Sequence, residues 1–413
     1  MKKKQKKAKV NDDFLAQEAM EEQETASAYT LDIPEDEIWT YQIEGLQAPH
    51  INQPFKNATT KKIIVVLVLI VAIGIAMYFS VRAVHSDTYE YKELEDGTYE
   101  LVKFSNPGDI TDILIDYVVD AETGEKDTTK PISVIDEFAF NCDEKLNSIS
   151  IGKDVKSIDG KSIYSCWWIT SVFIDDENPY YCDIDGVVYN KDLTEVIFYP
   201  NDHDKYLREK LGYNNLVDDE GKPMEELFGT TEKYDEAFLE EYNKQIRTYV
   251  VPSTVTKIGQ LAFAYSNITD LYIPEGVKTM ESMAVFKNTE LRNVYSYTTD
   301  SNISDVTYKA VDSMKTVYNS LPEGLEYIGS DCFYYCRNLT YMYIPSSVTY
   351  IGHHAFWDAI YKENKELKGI TVINTGADEA TFNTVEKGDE WRPKYDYMLF
   401  KKSVDVNYSA ERQ

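Results

Sequence analysis

IGSDCFYYCRNLTYMYIPSSVTY, residues 328–350, is followed directly by IGHHAFWDAIYKENKELKGITVI, residues 351–373. The second stretch repeats the first at an offset of 23 residues. Four similar segments lie upstream and bring the number of copies to six; they begin at Ile135, Ile158, Ile258 and Met280. Self-similarity at a period of about 20–50 residues is the signature of a repeat architecture, in which neighbouring copies stack on one another.

Each copy combines a short apolar strand with two turns. In the strand, apolar and polar residues alternate, as in Leu339-x-x-Met342-x-Ile344, and a Pro or Gly turn follows. A Val-x-x-Ile step then leads into a brief helical turn with an inward-facing Ala-Phe pair. No copy can bury its own apolar face, so stacking must supply the core, and the predicted fold is a solenoid. The residues expected to line its spine are Phe140, Ile163, Phe263, Phe333 and Phe356.

The pattern IG-x-x-AF-x-x-C-x-x-L-x-x-I-x-IP-x-x-V-x-x-I resembles the BspA-type leucine-rich repeats of bacterial surface proteins. The resemblance covers roughly residues 89–373 and implies a leucine-rich-repeat solenoid of short parallel β-strands and brief helical turns. It also implies that Asn178–Pro200 forms the family's hairpin between repeats. Residues 201–248 depart from the pattern as an insertion. Residues 374–413 show no repeat signature and are expected to cap the open end of the stack.

One apolar run predicts a membrane span. From Ile63 to Phe79 the chain reads IIVVLVLIVAIGIAMYF, seventeen residues without a charge, and Ser80 and Val81 extend it. A helix needs about 20 residues to cross the hydrocarbon core of a bilayer, and a buried core helix would show a polar stripe, which this run lacks. We therefore predict one transmembrane helix over residues 61–82.

Basic residues flank the apolar run mainly on one side. Lys56, Lys61 and Lys62 precede it, whereas Arg82 is the only basic residue close behind it. The positive-inside rule then places the N-terminus in the cytoplasm and the C-terminal part outside the plasma membrane. A cleaved signal peptide would need a shorter leader and a small-residue cleavage site, so the run is predicted to be a signal anchor.

The composition of the N-terminal segment is typical of disorder, with a lysine-rich start, an acidic middle and few large apolar residues. Two roles stay open for its lysines, contact with anionic lipid or simple solvation. The predicted organisation has four parts: a cytoplasmic, largely disordered tail (1–60), the signal-anchor helix (61–82), the leucine-rich-repeat ectodomain (83–373, with the insertion 201–248) and a C-terminal cap (374–413).

The charge of the chain argues against nucleic acid as a partner. The formal net charge is −29, and residues 83–413 carry 32 Lys/Arg against 60 Asp/Glu. A surface this acidic repels phosphate backbones, and the simplest role of the charge is to keep the protein soluble.

The cysteines are expected to be structural. Cys142, Cys166 and Cys336 occupy the same slot in three copies, and Cys332 replaces the alanine of the Ala-Phe pair. A residue that returns to one slot of every coil is usually an inward-facing position. Cys182, in the hairpin, is the one candidate for a reactive thiol.

Motifs for metal binding or catalysis are weak. His353 and His354 are adjacent, but no carboxylate is patterned around them in the sequence, and both are expected at the surface. Asp183-x-Asp185 lacks the ligand spacing of an EF-hand loop. The sequence contains no G-x-S-x-G motif and no phosphate-binding loop. The prediction is a non-catalytic protein with no cofactor and no metal site; a catalytic cluster would require a pocket formed by the 201–248 insertion.

One column of the strands favours binding. The residue between the last two apolar positions should face outward, on the surface that leucine-rich repeats use for ligands. Copy by copy, this column consists of Ser150, Phe173, Tyr272, Tyr295, Tyr343 and Thr371. Aromatic side chains contribute strongly to interfaces, so the candidate binding residues are the aromatic members of this column and one tyrosine of the neighbouring outward column: Phe173, Tyr272, Tyr295, Tyr343 and Tyr341. Alternatively, stacked aromatic rings only stabilise adjacent strands.

The function predicted from these features is binding or adhesion at the cell surface, with an extracellular protein or glycan as the partner. The alternative is a membrane-tethered sensor or scaffold whose cytoplasmic tail recruits other proteins. Nothing in the tail resembles an output domain, so the alternative ranks second.

Overall fold

The computed structural model describes residues 89–106, 110–120, 123–140, 146–158, 160–164, 166–213, 236–363, 366–397 and 400–413. The predicted tail (1–60) and the predicted span (61–82) lie outside these residues. Within the part of the chain that is described, no helix is both long enough and apolar enough to cross a bilayer. All the described residues belong to one compact unit, residues 71–413.

A small mixed sheet precedes the first repeat. The strands of this region are β1 (Tyr89–Glu93), β2 (Tyr99–Phe104), β3 (Asp112–Ile115), β4 (Tyr117–Val119) and β5 (Lys126–Ile135). β1 and β2 are antiparallel, β2 and β5 are parallel, and β5 and β4 are antiparallel. The amide of Phe104 donates to the carbonyl of Ala139 over 2.7 Å, which attaches this sheet to the first repeat.

The repeats form many short strands and few helices. Up to the irregular stretch after the fourth copy, the strands are β6 (Ser148–Ile151), β7 (Ser171–Ile174), β8 (Tyr181–Ile184), β9 (Val187–Asn190), β10 (Glu195–Phe198), β11 (Thr248–Val250), β12 (Lys257–Ile258), β13 (Asp270–Pro274), β14 (Thr279–Met280), β15 (Asn293–Thr298) and β16 (Thr316–Tyr318). They continue as β17 (Tyr327–Ile328), β18 (Met342–Ile344), β19 (Tyr350–Ile351), β20 (Ile360–Glu363), β21 (Glu366–Gly369), β22 (Val372–Thr375), β23 (Glu386–Lys387), β24 (Lys394–Tyr397), β25 (Phe400–Ser403) and β26 (Asp405–Asn407). The helices among the described residues are α1 (Gly160–Ile163), α2 (His203–Leu211), α3 (Glu236–Arg247) and α4 (Glu379–Thr384), with a 3-10 helix at Tyr308–Ser313.

The longer strands of successive coils stack in three separate sheets, ordered β3-β6-β7, β11-β13-β15-β16 and β18-β22-β26. All the pairs are parallel except β15 with β16. The register sets equivalent residues opposite one another, so that Ile149 faces Val172 and Leu271 faces Val294. These four side chains are buried. The solenoid predicted from the repeats is therefore confirmed.

A second ladder joins the coils through strands of only two residues. β12, β14, β17, β19 and β23 pair in parallel in that order, and β10 precedes them. The first residues of four copies lie in this ladder and are fully buried; they are Ile258, Met280, Ile328 and Ile351.

The hairpin expected at Asn178–Pro200 is present as β8, β9 and β10, and it joins the two halves of the core. Along β9 the side chains alternate, so that Val187 and Tyr189 belong to one apolar cluster and Val188 to the other. All three are fully buried. A strand buried on both faces can serve both clusters, because successive side chains point to opposite sides.

Tight turns replace the brief helices predicted for most copies. Among the described residues only the second copy forms a helix at this position, α1. In the four later copies, two residues four positions apart adopt a positive φ: Leu261 and Tyr265, Met283 and Lys287, Asp331 and Tyr335, His354 and Asp358. A left-handed residue ends a helical turn. Backbone amides in these turns donate instead to carbonyl groups of the next coil. The Phe263 amide donates to Ala284, and the Phe333 amide donates to Ala355.

The expected spine residues Phe140, Ile163, Phe263, Phe333 and Phe356 are all fully buried. Phe140 and Ile163 belong to the cluster before the hairpin, and the other three to the cluster after it. The rings of Phe333 and Phe356 stack with centroids 5.3 Å apart and planes 5° apart, as equivalent positions of adjacent coils should.

The C-terminal residues continue the stack in backbone geometry, although residues 374–413 show no repeat signature in their sequence. β23 extends the short-strand ladder beyond β19, and β26 extends the long-strand sheet beyond β22. Lys387-Gly388 takes the place of the Ile-Gly that opens other copies, and Glu390 has the positive φ found there. The similarity is in backbone geometry, because the apolar residues of the pattern are mostly replaced.

Glycine is required where the turn of one coil crosses the backbone of the previous coil. A Cβ on Gly352 would collide with the backbone of Gly329 and Ser330, whereas a Cβ on Gly276 would have its nearest neighbour, the Val255 carbonyl oxygen, at 3.7 Å. Overpacking of this kind destabilises proteins by about 1–3 kcal/mol.

We expect Gly352→Ala to lower the free energy of unfolding of the full-length chain by about 1–3 kcal/mol, because coils held by backbone hydrogen bonds cannot move apart locally. Gly276→Ala is the matched control and should change it little. Urea unfolding followed by circular dichroism measures both. Equal stability of the two variants would contradict the close-crossing argument.

Candidate binding surfaces

The outward column of strand residues is divided between the three sheets. Ser150 lies opposite Phe173, Tyr272 opposite Tyr295, and Tyr343 opposite Asn374. Asn374 therefore takes the place that the sequence reading gave to Thr371. β20 and β21 form an antiparallel hairpin over residues 360–369, and this hairpin delays the strand of the last copy by three residues.

Phe173 is 37% exposed, more than any of the other four predicted binding residues. Its ring lies 6.1 Å from that of Tyr206 on α2, at 65°. The inserted helix α2 thus packs against Phe173, which was predicted to contact a binding partner.

Tyr272 and Tyr295 stack with centroids 4.7 Å apart and planes 26° apart, and both rings are half-buried. Tyr272 also packs against a small apolar cluster on the outer face of the sheet, which contains Val250, Tyr297 and Ile303. Burial raises the pKa of both tyrosine hydroxyls. The stretch after β15 therefore covers part of the outward face.

Tyr343 is buried, with 4% of its surface exposed, and this corrects its assignment to an open face. Its hydroxyl occupies the space where a side chain at Gly376 would lie. Arg412, from the C-terminus, stacks on Tyr318 at 3.9 Å and pairs with Glu275. The C-terminal segment thus folds back over this part of the face, while Tyr341 stays half-buried.

A row of aromatic rings that sequence reasoning missed runs along the turns. Trp167 contacts Tyr265 at 4.2 Å, Tyr265 contacts Phe286 at 5.5 Å, and Phe286 stacks on Tyr334 at 5.2 Å. Through His354, 6.4 Å from Tyr334 and 4.8 Å from Trp357, the row reaches the last copy. We call these six residues the turn row. Reading the turn residues in columns, as was done for the strands, would have found Phe286, Tyr334 and Trp357.

Cations lie over the turn row. Lys287 Nζ is 5.6 Å from the Tyr265 ring and 5.4 Å from the Phe286 ring, and Lys394 Nζ is 5.1 Å from the Trp357 ring. Cation–π contacts at exposed sites contribute roughly 0.5–1 kcal/mol each. Trp167 is 38% exposed, and the neighbouring Trp168 is 53% exposed.

A family model decides what these coils are. The model described as BspA type leucine-rich repeat region matches residues 122–200 and 232–362 in six copies, just over half of the chain. The chain belongs to this family. Part of the 201–248 insertion separates the two matched segments, as a departure from the repeat should.

Several solved structures are similar to this BspA-type protein. The pneumococcal vaccine antigen PcpA is 13% identical over 78% of this chain and 92% of its own, with a TM-score of 0.40. A leucine-rich repeat protein from Eubacterium ventriosum is 13% identical over 79% of this chain and 94% of its own, with a TM-score of 0.33. One from Bacteroides ovatus is 15% identical over 78% and 70%, with a TM-score of 0.33. No curated protein sequence matches the chain.

The cysteines of the BspA-type coils are buried as predicted at three described positions, Cys166, Cys332 and Cys336; Cys142 lies outside the described residues. Cys336 Sγ donates to the carbonyl of Val285 over 3.1 Å, which ties one coil to another. Burial raises the pKa of the half-buried Cys182 thiol, and so disfavours the reactive thiolate.

Carboxylates flank His354, although none is patterned around it in the sequence. Its imidazole lies 3.2 Å from Glu390 and 3.7 Å from Asp331, which belong to adjacent coils. Even so, the part of the BspA-type chain described here holds no group of three or more His, Cys, Asp or Glu side chains that could bind a metal ion. Asp183, whose motif lacks the spacing of an EF-hand loop, accepts hydrogen bonds from the amides of Ile174 and Gly186, so it braces the hairpin.

The start of the insertion buries a polar cluster. His203 is 1% exposed and its Nδ1 lies 2.9 Å from the Thr170 carbonyl oxygen, which fixes the proton on Nδ1. Burial lowers the pKa of His203 to about 4. Burial and the nearby Asp204 carboxylate raise the pKa of Asp202. Arg208 pairs with Asp204 at 3.4 Å.

The buried neutral His203 should make the BspA-type protein sensitive to mild acid. Its pKa in the folded state, about 4, lies below the unfolded value of 6.5, so its contribution is complete above pH 6.5 and is lost as the pH falls toward 4. The loss amounts to about 3 kcal/mol at most.

Relative to a His203→Gln variant, the wild-type chain should therefore lose up to about 3 kcal/mol between pH 7 and pH 4. The variant keeps Asp202 and every other titrating group, so the difference isolates the imidazole. Urea titrations at both pH values provide the measurement. Parallel pH profiles would argue against a buried neutral histidine.

Proposed function

We propose that this protein is a non-catalytic binding protein of the cell surface, and that its leucine-rich repeats bind an extracellular protein. In this proposal residues 61–82 cross the plasma membrane, residues 1–60 lie in the cytoplasm, and residues 83–413 lie outside. Repeat proteins of this kind generally act as binding scaffolds, because stacked coils display one extended surface.

The turn row is the observation that carries the proposal. It crosses five coils, which at the spacing of neighbouring strands corresponds to about 20 Å. Aromatic side chains dominate the energetics of protein interfaces, and half-buried rings that are already packed lose little conformational entropy on binding. The predicted strand face is a weaker candidate, since α2, the stretch after β15 and the C-terminus each cover part of it.

The geometry of the rings favours a protein over a glycan. Phe286 and Tyr334 stack face to face along the row, with their planes 22° apart. Each ring therefore covers one face of the other, which leaves less open ring face on which a sugar could stack. Ring edges carry partial positive charge and suit carbonyl oxygens and apolar side chains of a protein partner.

We expect the double variant Phe286→Ser/Tyr334→Ser to weaken binding to an immobilised extracellular protein by at least roughly 30-fold, as loss of interface hot spots does. Tyr327→Ser/Tyr350→Ser is the matched control, because these rings also stack between adjacent coils, 4.7 Å apart, but on the short-strand ladder. Binding of the full-length chain to a panel of matrix proteins and to a glycan array is measured by surface plasmon resonance.

Three outcomes of that panel separate the possibilities. Loss of protein binding only in the turn-row variant supports the proposal. Loss of protein binding only in a Tyr272→Ser/Tyr295→Ser variant would show that the partner binds the outward face of the strands instead. Binding confined to the glycan array would refute the choice of a protein partner.

The topology has its own test. In intact cells that express the chain with a tag at each end, we expect external protease to remove the C-terminal tag and to leave the N-terminal tag protected. Deletion of residues 63–79 should release the protein from the membrane fraction. Protection of the C-terminal tag in intact cells, with digestion after permeabilisation, would contradict the proposed orientation.

A further inference from the structure

Two segments that interrupt the repeats enclose a cleft. One is the insertion with α2 and α3, and the other is the stretch after β15 that contains the 3-10 helix. Between them lies a small cavity of about 60 Å³ that opens to solvent. Its walls include Leu207 and Leu211 from α2, Tyr249 from β11, and Val306 and Tyr308 from the second segment.

Hydrogen bonds hold the two segments together at the cleft. The Tyr308 hydroxyl donates to a carboxylate oxygen of Glu241 on α3, and Gln245 Nε2 donates to the same carboxylate over 2.8 Å. The amide of Val250 donates to the carbonyl of Val306 over 3.0 Å, which fixes the second segment to β11. The walls are thus set by the fold before any ligand arrives, and a preformed site binds at a lower entropic cost.

The deep part of the cleft is uncharged. Leu207, Tyr249 and Val306 are buried, and His203, also buried, is neutral at pH 7 because burial lowers the pKa of its imidazole to about 4. Small-molecule sites are generally apolar concavities with a few polar groups, and the residues that line this cleft have that composition.

The rim of the cleft is basic. Lys210 and Lys309 are exposed there, and the described residues that line the cleft include no Asp or Glu, although the chain has 71 acidic and 42 basic residues. Lys210 pairs with Asp185, and the Glu241 carboxylate lies within electrostatic range of Lys309. Each lysine retains donors for a further oxygen ligand, since an ammonium group has three.

We propose that this cleft binds a small amphipathic carboxylate. Its apolar chain lies between Leu207, Tyr249 and Val306, and its carboxylate stays at the rim beside Lys210 and Lys309. The site is separate from the turn row, so it goes beyond the proposed function and does not depend on it.

The probes are linear carboxylates from butanoate to octanoate, titrated into the full-length chain in lipid nanodiscs with empty nanodiscs as the reference. We expect the affinity, measured by isothermal calorimetry, to rise about four-fold with each added methylene, as burial of apolar surface dictates. Octylammonium, with the same chain and the opposite charge, should bind at least roughly ten-fold more weakly than octanoate.

Two variants test the space and the charge of the cleft separately. Leu211→Trp fills its mouth from an exposed position and should lower the affinity for octanoate by more than roughly ten-fold. Lys309→Glu should reverse the preference, so that octylammonium binds better than octanoate. Lys278→Glu is the matched control, because Lys278 is exposed on the short-strand side and pairs with Glu326 at 2.7 Å. Unchanged melting temperatures establish that all three variants are folded.

The proposal is overturned if octanoate shows no binding above the nanodisc reference at millimolar concentration, or if Leu211→Trp binds it as well as the wild type. Equal affinity for octanoate and octylammonium would also overturn it, because the basic rim would then have no role. Loss of binding in Leu211→Trp together with reversal in Lys309→Glu supports it.

Discussion

Burial between coils is the constraint on which the structure depends. A single coil exposes its apolar side chains to the coils above and below, so Leu271 is buried only because its equivalents in adjacent coils cover it. The same stacking satisfies the backbone, since amides such as Phe333 bond to a carbonyl of the next coil. Apolar burial and hydrogen bonding therefore fix one spacing, the separation of neighbouring strands, about 4.8 Å. Backbones this close leave no room for a Cβ at Gly352, and paired left-handed residues form the turns of the four later copies.

Once the stack is set, segments that interrupt the repeats decide which surfaces remain open. The inserted helix α2 packs beside Phe173, the stretch after β15 covers Val250 and part of Tyr272, and the C-terminal residues bury Tyr343. These segments carry apolar side chains of their own, and the outward face of the sheets is the nearest apolar surface on which to bury them. The side of the turns receives no such cover at Trp167, whose ring stays 38% exposed.

The insertion also explains where the buried Asp, Arg and His side chains of the described residues lie. The described repeats offer repeating apolar positions, and their buried polar groups bond to the backbone, as Cys336 does at the Val285 carbonyl, or to one another, as Asn288 does to Ser266. Where α2 leaves the hairpin, His203 and the Asp204–Arg208 pair are buried together. A helix docked on a sheet from outside must neutralise the polar groups at its start, and the neutral imidazole and the ion pair do so.

The periodicity of the apolar residues was enough to determine the solenoid, the order of its coils, the spine from Phe140 to Phe356 and the burial of the cysteine slot, because those features depend on local pattern and on identical neighbours. The same pattern predicted which strand residues point outward, and the register of Tyr272 with Tyr295 agrees. It could not determine which outward residues stay exposed, since Tyr343 is covered by residues near Gly376, thirty-three positions along the chain. Contacts of that kind join segments with no shared period, and only the packing of the folded chain decides them.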